Sequence, residues 1–295
     1  MITIHKGVTN HTIKTQTTLL PFLLETLSGL SRNAVKSILT RGQVAVNGKT
    51  TTQHNHPLEP GDIVGITSNK VAKKTTALKG IRILYEDDAL IIIHKDSGIL
   101  SMADRSQTEM TAYSQLTSYV KEENKKNRIY IVHRLDRDTS GVMVYAKTEA
   151  IKLALQKDWH TIVKERTYIA LVEGVITEDK GTIRSWLTES KAMKVHSHNY
   201  DNGGKLAVTH YRKIRANAHY SLLEVELETG RKNQIRVHME EIYHPVAGDK
   251  KYGAQTNPLK RLGLHASTLS FVHPTSGKII RYNSKTPKDF LYHSK

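Results

Sequence analysis

Strand-like runs dominate the chain from Gly80 onward, and this pattern constrains the fold more than any other feature of the sequence. The runs predict strands over residues 81–84, 89–94, 130–132, 142–146, 168–172, 206–211 and 222–227. Helical periodicity intervenes only at residues 108–121, at 149–159 and after Arg231. Grouped strands with a few helices are typical of an α+β domain, so we expect mixed or antiparallel sheets with flanking helices.

The first 67 residues follow a different pattern, with two short helices before a hairpin. Apolar residues at helical spacing begin at Leu19, and Ser28-Gly29 ends the first helix. Ser31 can cap a second helix over residues 32–41. Asn47-Gly48 closes an alternating run and predicts a type I′ hairpin. We therefore expect a small α/β domain over residues 1–67.

Residues 68–79 are polar, contain several lysines and lack a convincing period, which is typical of a linker. The chain is 295 residues long, which suits one large and one small domain. We expect a linker over 68–79 and a large domain over 80–295.

The charge balance favours a polyanionic partner. Lys and Arg number 44 against 28 Asp and Glu, a net charge of +16. Nucleic acid fits this charge better than an anionic membrane does. The sequence has no Cys, which excludes disulfides, thiolate metal sites and a Cys nucleophile within the chain. No apolar run approaches a spanning helix and no secretory segment opens the chain, so we expect a cytoplasmic protein without membrane contact.

The densest polar cluster spans residues 133–141, His-Arg-Leu-Asp-Arg-Asp-Thr-Ser-Gly, between two strand-like runs. Polar loops between strands often display reactive groups, although an ion-paired turn would also explain the composition. The order of the residues resembles the RluA-type family of pseudouridine synthases, in which His-Arg-Leu-Asp, two variable residues and Thr-Ser-Gly recur.

The resemblance continues over nearly the whole large domain. The matching segments begin at Tyr85, Arg166, Thr229, Gln234, His244, Gly248, Tyr252, Leu264, His273 and Pro287. Agreement at so many ordered positions implies the fold and the reaction of this family.

The resemblance implies a role for five residues of the large domain. Asp136 is the expected catalytic carboxylate, with Arg236 as its cationic partner and Tyr168 stacked on the target base. Arg134 and Arg166 are expected to face the RNA. A carboxylate is ionised at neutral pH because its ordinary pKa is about 3.9, and an Arg fork can hold it in place. The pattern leaves open whether Asp136 adds to the sugar, adds to the base or abstracts the 2′ proton.

Two positions depart from the family pattern. Asn233 stands where His commonly precedes Gln-Ile-Arg, and Asp96 follows Lys95 where Pro is usual. Asn still donates and accepts hydrogen bonds, so we expect a changed local contact and an unchanged catalytic assignment. Asp96 weakens any assignment to Lys95.

The small domain resembles the S4 RNA-binding domain in Ser31-Arg32, in the hairpin from Gly42 to Gly48, and in Gly61-Asp62. Four cations of this segment are expected to engage phosphates without reading bases, although solvated surface charges are the usual alternative. They are Arg32, Lys36, Arg41 and Lys49.

Neither a metal nor another cofactor is expected. His196-Ser197-His198 is the sharpest pair of possible ligands, but it has no carboxylate at ligand spacing and is interpreted as an exposed loop. Gly203-Gly204-Lys205 lacks the context of a phosphate loop and is interpreted as a turn before a strand.

The combined expectation is a monomeric, cofactor-free RNA pseudouridine synthase. The resemblance of the small domain favours large-subunit ribosomal RNA of the 23S type, and transfer RNA is the alternative substrate. A non-catalytic RNA-binding assembly factor would keep the fold without the reaction. A carboxylate-dependent glycosidase would need a second acid, for which Asp138 is the nearest candidate.

Overall fold

The computed structural model describes residues 4–5, 8–40, 42–67, 78–103 and 110–295. Two compact units divide the chain, Met1–Thr76 and Ala77–Lys295. Arg41 and all of the expected linker except residues 78 and 79 lie outside the described residues.

The small unit contains a five-stranded antiparallel sheet in the order β1-β2-β7-β4-β5, a separate pair β3-β6, and two helices. The strands are β1 Ile4–His5, β2 Val8–Thr12, β3 Thr17–Thr18, β4 Val44–Val46, β5 Lys49–Thr50, β6 Pro57–Leu58 and β7 Ile63–Thr67. The helices are α1 Leu19–Thr26 and α2 Arg32–Thr40. Asn47 and Gly48 have φ angles of 50° and 80°, so the type I′ turn expected between β4 and β5 is confirmed.

Both helices bury apolar residues against this sheet. Leu19 and Leu23 from α1, and Val35 and Leu39 from α2, are completely buried in one cluster with the strand residues. The apolar spacing in the sequence therefore marks the faces that form this core.

The large unit is built on an eleven-stranded sheet. Its strands are β8 Ile81–Glu86, β9 Leu90–Lys95, β10 Tyr130–Ile131, β11 Ser140–Ala146, β12 Val163–Glu173, β13 Lys180–Glu189, β14 Val195–His198, β15 Lys205–Ala216, β16 Tyr220–Leu227, β17 Leu264–Val272 and β18 Ile279–Asn283. The main path runs β14-β13-β15-β16-β12-β17-β11-β9-β8, with β10 beside β11 and β18 beside β17. Among these described strands β11 and β17 pair in parallel, and the other pairs are antiparallel. The expected mixed sheet is confirmed.

In the described part of the large unit, five helices accompany this sheet, together with a 3₁₀ turn at Lys250–Tyr252. They are α3 Ala112–Glu123, α4 Glu149–Lys157, α5 Trp159–Ile162, α6 Gln234–Glu241 and α7 Lys288–His293. Both faces of the sheet are covered, which explains why β9 is buried throughout. Ile91 and Ile93 belong to the core cluster that contains α3 and α6, whereas Leu90 and Ile92 belong to the cluster with α4. No helix in the described part of the chain is long and apolar enough to cross a membrane.

Four strands of the large unit were not expected from the sequence: β13, β14, β17 and β18. The interpretation of residues 196–198 as a loop is wrong, because β14 pairs with β13. The apolar signal is weak here because polar residues occupy inward positions. Ser185 is fully buried, and Ser197 donates a 2.6 Å hydrogen bond to it. The turn expected at Gly203-Gly204 before β15 is confirmed.

Candidate active site

The loop between β10 and β11 carries Asp136, and hydrogen bonds fix its backbone on both sides. Before Asp136, the Ser101 hydroxyl donates to the Leu135 carbonyl at 2.6 Å, and the Leu135 side chain is buried in the core. After Asp136, the Thr139 amide donates to the Asp136 carbonyl at 3.2 Å. The side chain of Asp136 is 35% exposed. The loop therefore presents an accessible carboxylate on a fixed backbone.

Lys95, the last residue of β9, also contacts this loop. Its ammonium group donates to the carbonyl oxygens of Ile99 at 2.7 Å, Arg137 at 2.9 Å and Asp96 at 3.1 Å, and the residue is completely buried. Burial lowers the pKa of Lys95 to about 8, while the nearby charges of Asp138 and Asp136 act in the opposite direction. Lys95 thus joins two loops through their backbones, and the departure at Asp96 leaves this arrangement intact.

His133 fills an internal position of the loop. Its Nε2 accepts a 3.2 Å hydrogen bond from the Val144 amide, and its ring lies 5.1 Å from the Trp159 ring. Burial, and then the charge of Arg166, lower the pKa of His133 to about 3. A neutral imidazole with an accepting Nε2 fits a residue that shapes the loop.

Gly141 explains the end of the Thr-Ser-Gly motif. Its φ angle is +121°, and a Cβ atom here would lie 2.0 Å from the carbonyl oxygen of Ala266. Because Ser140 and Gly141 pair in parallel with His265 and Ala266, the backbones of β11 and β17 must approach closely at this point. The motif therefore joins the Asp136 loop to the centre of the sheet.

Arg236 reaches the carboxylate of Asp136 from the first turn of α6. Its Nη1 donates to Oδ2 of Asp136 at 3.2 Å, and its side chain is 15% exposed. Asn233, which precedes α6 in the left-handed conformation, accepts a 3.3 Å hydrogen bond from the same Nη1. The structure thus brings together two residues that lie 100 positions apart, and gives Asn233 a contact with the guanidinium.

Asp249 is a second carboxylate on Arg236, and its role was missed in the sequence. It accepts from Nε at 2.6 Å and from Nη2 at 2.8 Å, and its side chain is 2% exposed. Burial by itself would lower the pKa of Arg236. The interactions of Arg236 with Asp249, and then with Asp136, outweigh burial and raise that pKa. The sequence offers only the match of Gly248-Asp249 to the family pattern, and that match does not show which residue Asp249 contacts.

Tyr168 projects from β12 into the cleft that also contains Asp136 and Arg236. The other residues that line this cleft are Arg134, Leu135, Thr139, Leu227, Arg231, Asn233, Gln234, Ile235 and Leu264. Tyr168 is 8% exposed, and its hydroxyl makes no hydrogen bond with a residue that the structure describes. Burial raises the pKa of Tyr168, with Arg166 opposing this change and Asp136 adding to it. A neutral phenol and a carboxylate therefore face one cleft.

The two expected RNA contacts of the large unit have different environments. Arg134 is exposed and lines the cleft. Arg166 is half-buried and donates through Nη2 to the Thr229 carbonyl at 2.6 Å, while a Cβ atom at Gly230 would lie 2.7 Å from its Nη1. Gly230 thus leaves the space in which the guanidinium of Arg166 packs.

The expected RNA contacts of the small unit lie at its surface. Arg32 and Lys36 are exposed on α2, and Lys49 is exposed beside the hairpin turn. Arg41 lies outside the described residues. Across the described ranges, no group of three or more His, Asp or Glu residues is placed to hold a metal ion.

Comparison with known proteins places the large unit in a family. A family model described as RNA pseudouridylate synthase matches residues 89–241. The chain is 32% identical to the uncharacterized RNA pseudouridine synthase YlyB of Bacillus subtilis over 274 residues, which cover 91% of this chain and 90% of that protein. It is also 32% identical to the ribosomal large subunit pseudouridine synthase D of Neisseria meningitidis serogroup B over 286 residues, covering 92% of this chain and 76% of that protein.

Solved structures share the fold. Human RNA pseudouridylate synthase domain containing 4 matches with a TM-score of 0.59 at 23% identity, covering 72% of this chain and 90% of that one. Human RNA pseudouridylate synthase domain containing 1 gives a TM-score of 0.56 at 22% identity, covering 70% and 84%.

Proposed function

Because this chain belongs to the RNA pseudouridylate synthase family, whose members are isomerases, we propose that it converts specific uridines in structured RNA to pseudouridines with Asp136 as the catalytic carboxylate. One observation carries this proposal. Asp136, Arg236 and Tyr168 come from three separate segments and line a single cleft, where Arg236 contacts Asp136 at 3.2 Å.

The residues of the cleft suit the chemistry of this isomerisation. The reaction breaks the uridine N1–C1′ bond, turns the uracil and joins C5 to C1′. The proton lost from C5 is balanced by one gained at N1, so the reaction needs no redox group. Asp136 supplies a nucleophile or base that is exposed enough to meet the nucleotide, and Arg236 orients it.

Tyr168 supplies the surface for the displaced base. A uridine within an RNA helix or folded loop must leave its stack to reach the cleft, and an aromatic ring offsets part of the lost stacking. A phenol is protonated at neutral pH, and burial raises the pKa of Tyr168 further. Its hydroxyl, which has no partner among the described residues, can therefore donate a hydrogen bond or a proton to the base. Arg134 is exposed at the cleft, and its proposed role is to contact RNA phosphate or the displaced nucleotide.

Large-subunit ribosomal RNA is the substrate that we favour. A relative with 32% identity over most of this chain is named as a ribosomal large subunit pseudouridine synthase. The small unit, which we propose to be an S4-like RNA-binding domain, adds exposed cations at Arg32, Lys36 and Lys49. Transfer RNA is the alternative substrate, and a monomer acting without a metal or other cofactor is part of the proposal.

The two other functions considered for this fold are less well supported. A non-catalytic assembly factor has no chemical need for a carboxylate beside a phosphate site, where it repels the RNA. A glycosidase needs a second acid facing the first, but Asp138 lines a neighbouring cleft with Lys250 and Arg261, whereas Asp136 lines the cleft of Tyr168.

The decisive experiment is pseudouridine mapping by carbodiimide modification and primer extension. Total RNA from cells with and without the gene is compared, and unmodified ribosomal and transfer RNA is then treated with the purified protein. We expect discrete signals in large-subunit RNA that depend on the gene and reappear with the protein. Failure of the protein to modify either RNA would favour the assembly factor.

A further inference from the structure

The guanidinium of Arg236 is shared unequally between two carboxylates. Asp249 receives the two adjacent N–H groups on Nε and Nη2, at 2.6 and 2.8 Å. Asp136 receives one N–H from Nη1 at 3.2 Å. Paired, short hydrogen bonds to a buried carboxylate are the stronger arrangement. Arg236 is therefore anchored mainly by Asp249, and its contact with Asp136 is the weaker one.

Other groups enclose the same guanidinium and limit its movement. The ring of the fully buried Tyr252 lies 4.8 Å from its central carbon. The Tyr252 hydroxyl accepts a 2.9 Å hydrogen bond from Asn233, whose carbonyl oxygen accepts from Nη1. Arg236 is thus held by Asp249 at Nε and Nη2, by the Tyr252 ring over one face, and by Asn233 at Nη1. In this position an N–H of Nη1 points to Asp136.

The side chain of Asp249 has no other hydrogen bond to a described residue. Its backbone forms part of a turn that follows α6. There the Asp249 amide donates to the Val246 carbonyl, and the Tyr252 amide donates to the Asp249 carbonyl. Those backbone bonds do not require a carboxylate. The charge and both oxygens of Asp249 therefore serve Arg236.

We propose that Asp249 is a positioning residue for the reaction: it occupies the paired N–H groups of Arg236, so that Asp136 is oriented by a single hydrogen bond and keeps one oxygen free for the target nucleotide. This inference rests on the proposed role of Asp136 as the catalytic carboxylate. Without Asp249, the guanidinium of Arg236 can direct two N–H groups to Asp136 and bind both oxygens of that carboxylate. The resulting ion pair is less reactive because both oxygens of the carboxylate are then bonded to the guanidinium and neither is free for the nucleotide.

The substitution that tests this proposal is Asp249→Asn, which keeps the size of the side chain and removes its charge. We expect the single-turnover rate of pseudouridine formation to fall about 100-fold, the effect expected when a catalytic group is displaced. Affinity for the substrate RNA should stay within about threefold of the wild-type value, since Asp249 is buried away from solvent.

The split between rate and affinity separates this role from a merely structural one, because a disordered cleft would weaken RNA binding together with the rate. Asp249→Glu, which restores the charge with one more methylene, should give a rate between those of Asp249→Asn and the wild type.

The controls distinguish the possible failures. Asp179→Asn makes the same exchange in the pair with Lys213, at 3.0 Å, and should leave rate and affinity unchanged. If Asp136→Asn retains activity, the proposed function fails. If Asp136→Asn is inactive while Asp249→Asn has the wild-type rate, the positioning role fails. If Asp249→Asn does not fold, a wild-type rate for Asp249→Glu would overturn the proposal, whereas a reduced rate with wild-type RNA affinity would support it.

Discussion

The Arg236 guanidinium in the cleft of the large unit is largely buried and bonded, whereas the cations on the surface of the small unit are exposed. Arg236 is 15% exposed and bonded to two carboxylates. Arg32, Lys36 and Lys49 are exposed, and their side chains form no hydrogen bond or ion pair with a described residue. Chemistry on one base requires a fixed geometry, whereas attraction to a phosphate backbone requires charge at the surface. The difference predicts that the catalytic rate depends on the positions of single atoms in the large unit, whereas any RNA affinity of the small unit depends on its total surface charge.

The largest expected effect of a single change is at Asp136. Asp136→Asn should abolish pseudouridine formation while RNA affinity stays near the wild-type value, because the amide keeps the shape but cannot act as a nucleophile or base. The measurement is single-turnover conversion of unmodified RNA together with a binding isotherm. Asp138→Asn, at an exposed position of the same loop, is the matched control and should remain active. Turnover by Asp136→Asn near that of the control would refute the assignment.

Matched glycines test whether the fixed geometry extends to the backbone. Gly141→Ala places a methyl group 2.0 Å from the Ala266 carbonyl oxygen, so we expect the large unit to lose roughly 3 kcal/mol or more of unfolding free energy. Gly48→Ala, also at positive φ but with no atom within 4 Å, should cost the small unit about 1 kcal/mol. Denaturant unfolding of the two variants measures both values. Equal losses would mean that the contact between β11 and β17 is not close enough to matter.

Acid should destabilise the large unit through its buried histidines. Burial lowers the pKa of His238 and of His265 to about 4 in the folded protein, from an ordinary value of 6.5. Their contribution to stability is present above pH 6.5 and is lost as the pH falls toward 4, because the unfolded chain takes up protons first. Between pH 7.5 and pH 5 we expect a loss on the order of 1–2 kcal/mol per histidine.

Thermal unfolding of the intact chain across this pH range checks that expectation. His238→Gln should make the transition of the large unit less dependent on pH. A pH dependence identical to that of the wild type would show that His238 is not the group responsible.

The smallest effect is expected from the cations of the small unit. Replacing Arg32, Lys36 and Lys49 together by Ala should weaken binding to long RNA and reduce the slope of log affinity against log salt by about 2 to 3, close to 0.7–0.9 per phosphate contact. The rate on saturating RNA should not change. Titrations at several salt concentrations measure the slope, and an unchanged slope would exclude these three cations as phosphate contacts.

The sequence predicted more of the fold than of the contacts. Strand-like runs of residues identified strands such as β9 and β16, while β14 was wrongly assigned to a loop because Ser197 and its hydrogen bonds replace apolar packing. The resemblance suggested the Asp136–Arg236 pair, and the structure shows that contact. Their roles in the reaction, like the RNA contacts of Arg134 and Arg166, stay predictions.

The role of Asp249 could not be predicted, because chain order does not show which of two carboxylates takes the paired N–H groups of one arginine. The same limit applies to Lys95, whose three bonds go to backbone carbonyls that carry no sequence signal. Side-chain patterns thus indicate where a strand or a motif lies, whereas bonds between distant segments require the folded structure.

The position of β17 in the sheet has a consequence for the order of folding. This strand follows all the other strands of the main path in chain order, yet it sits between β12 and β11 near the centre of the sheet. Until it emerges from a ribosome, the strands on its two sides have no partner between them, and Tyr168 on β12 and Asp136 before β11 cannot share a cleft. Domains fold as units during synthesis, and pairings between distant segments form slowly. The nascent chain therefore completes this cleft only after β17 has been translated.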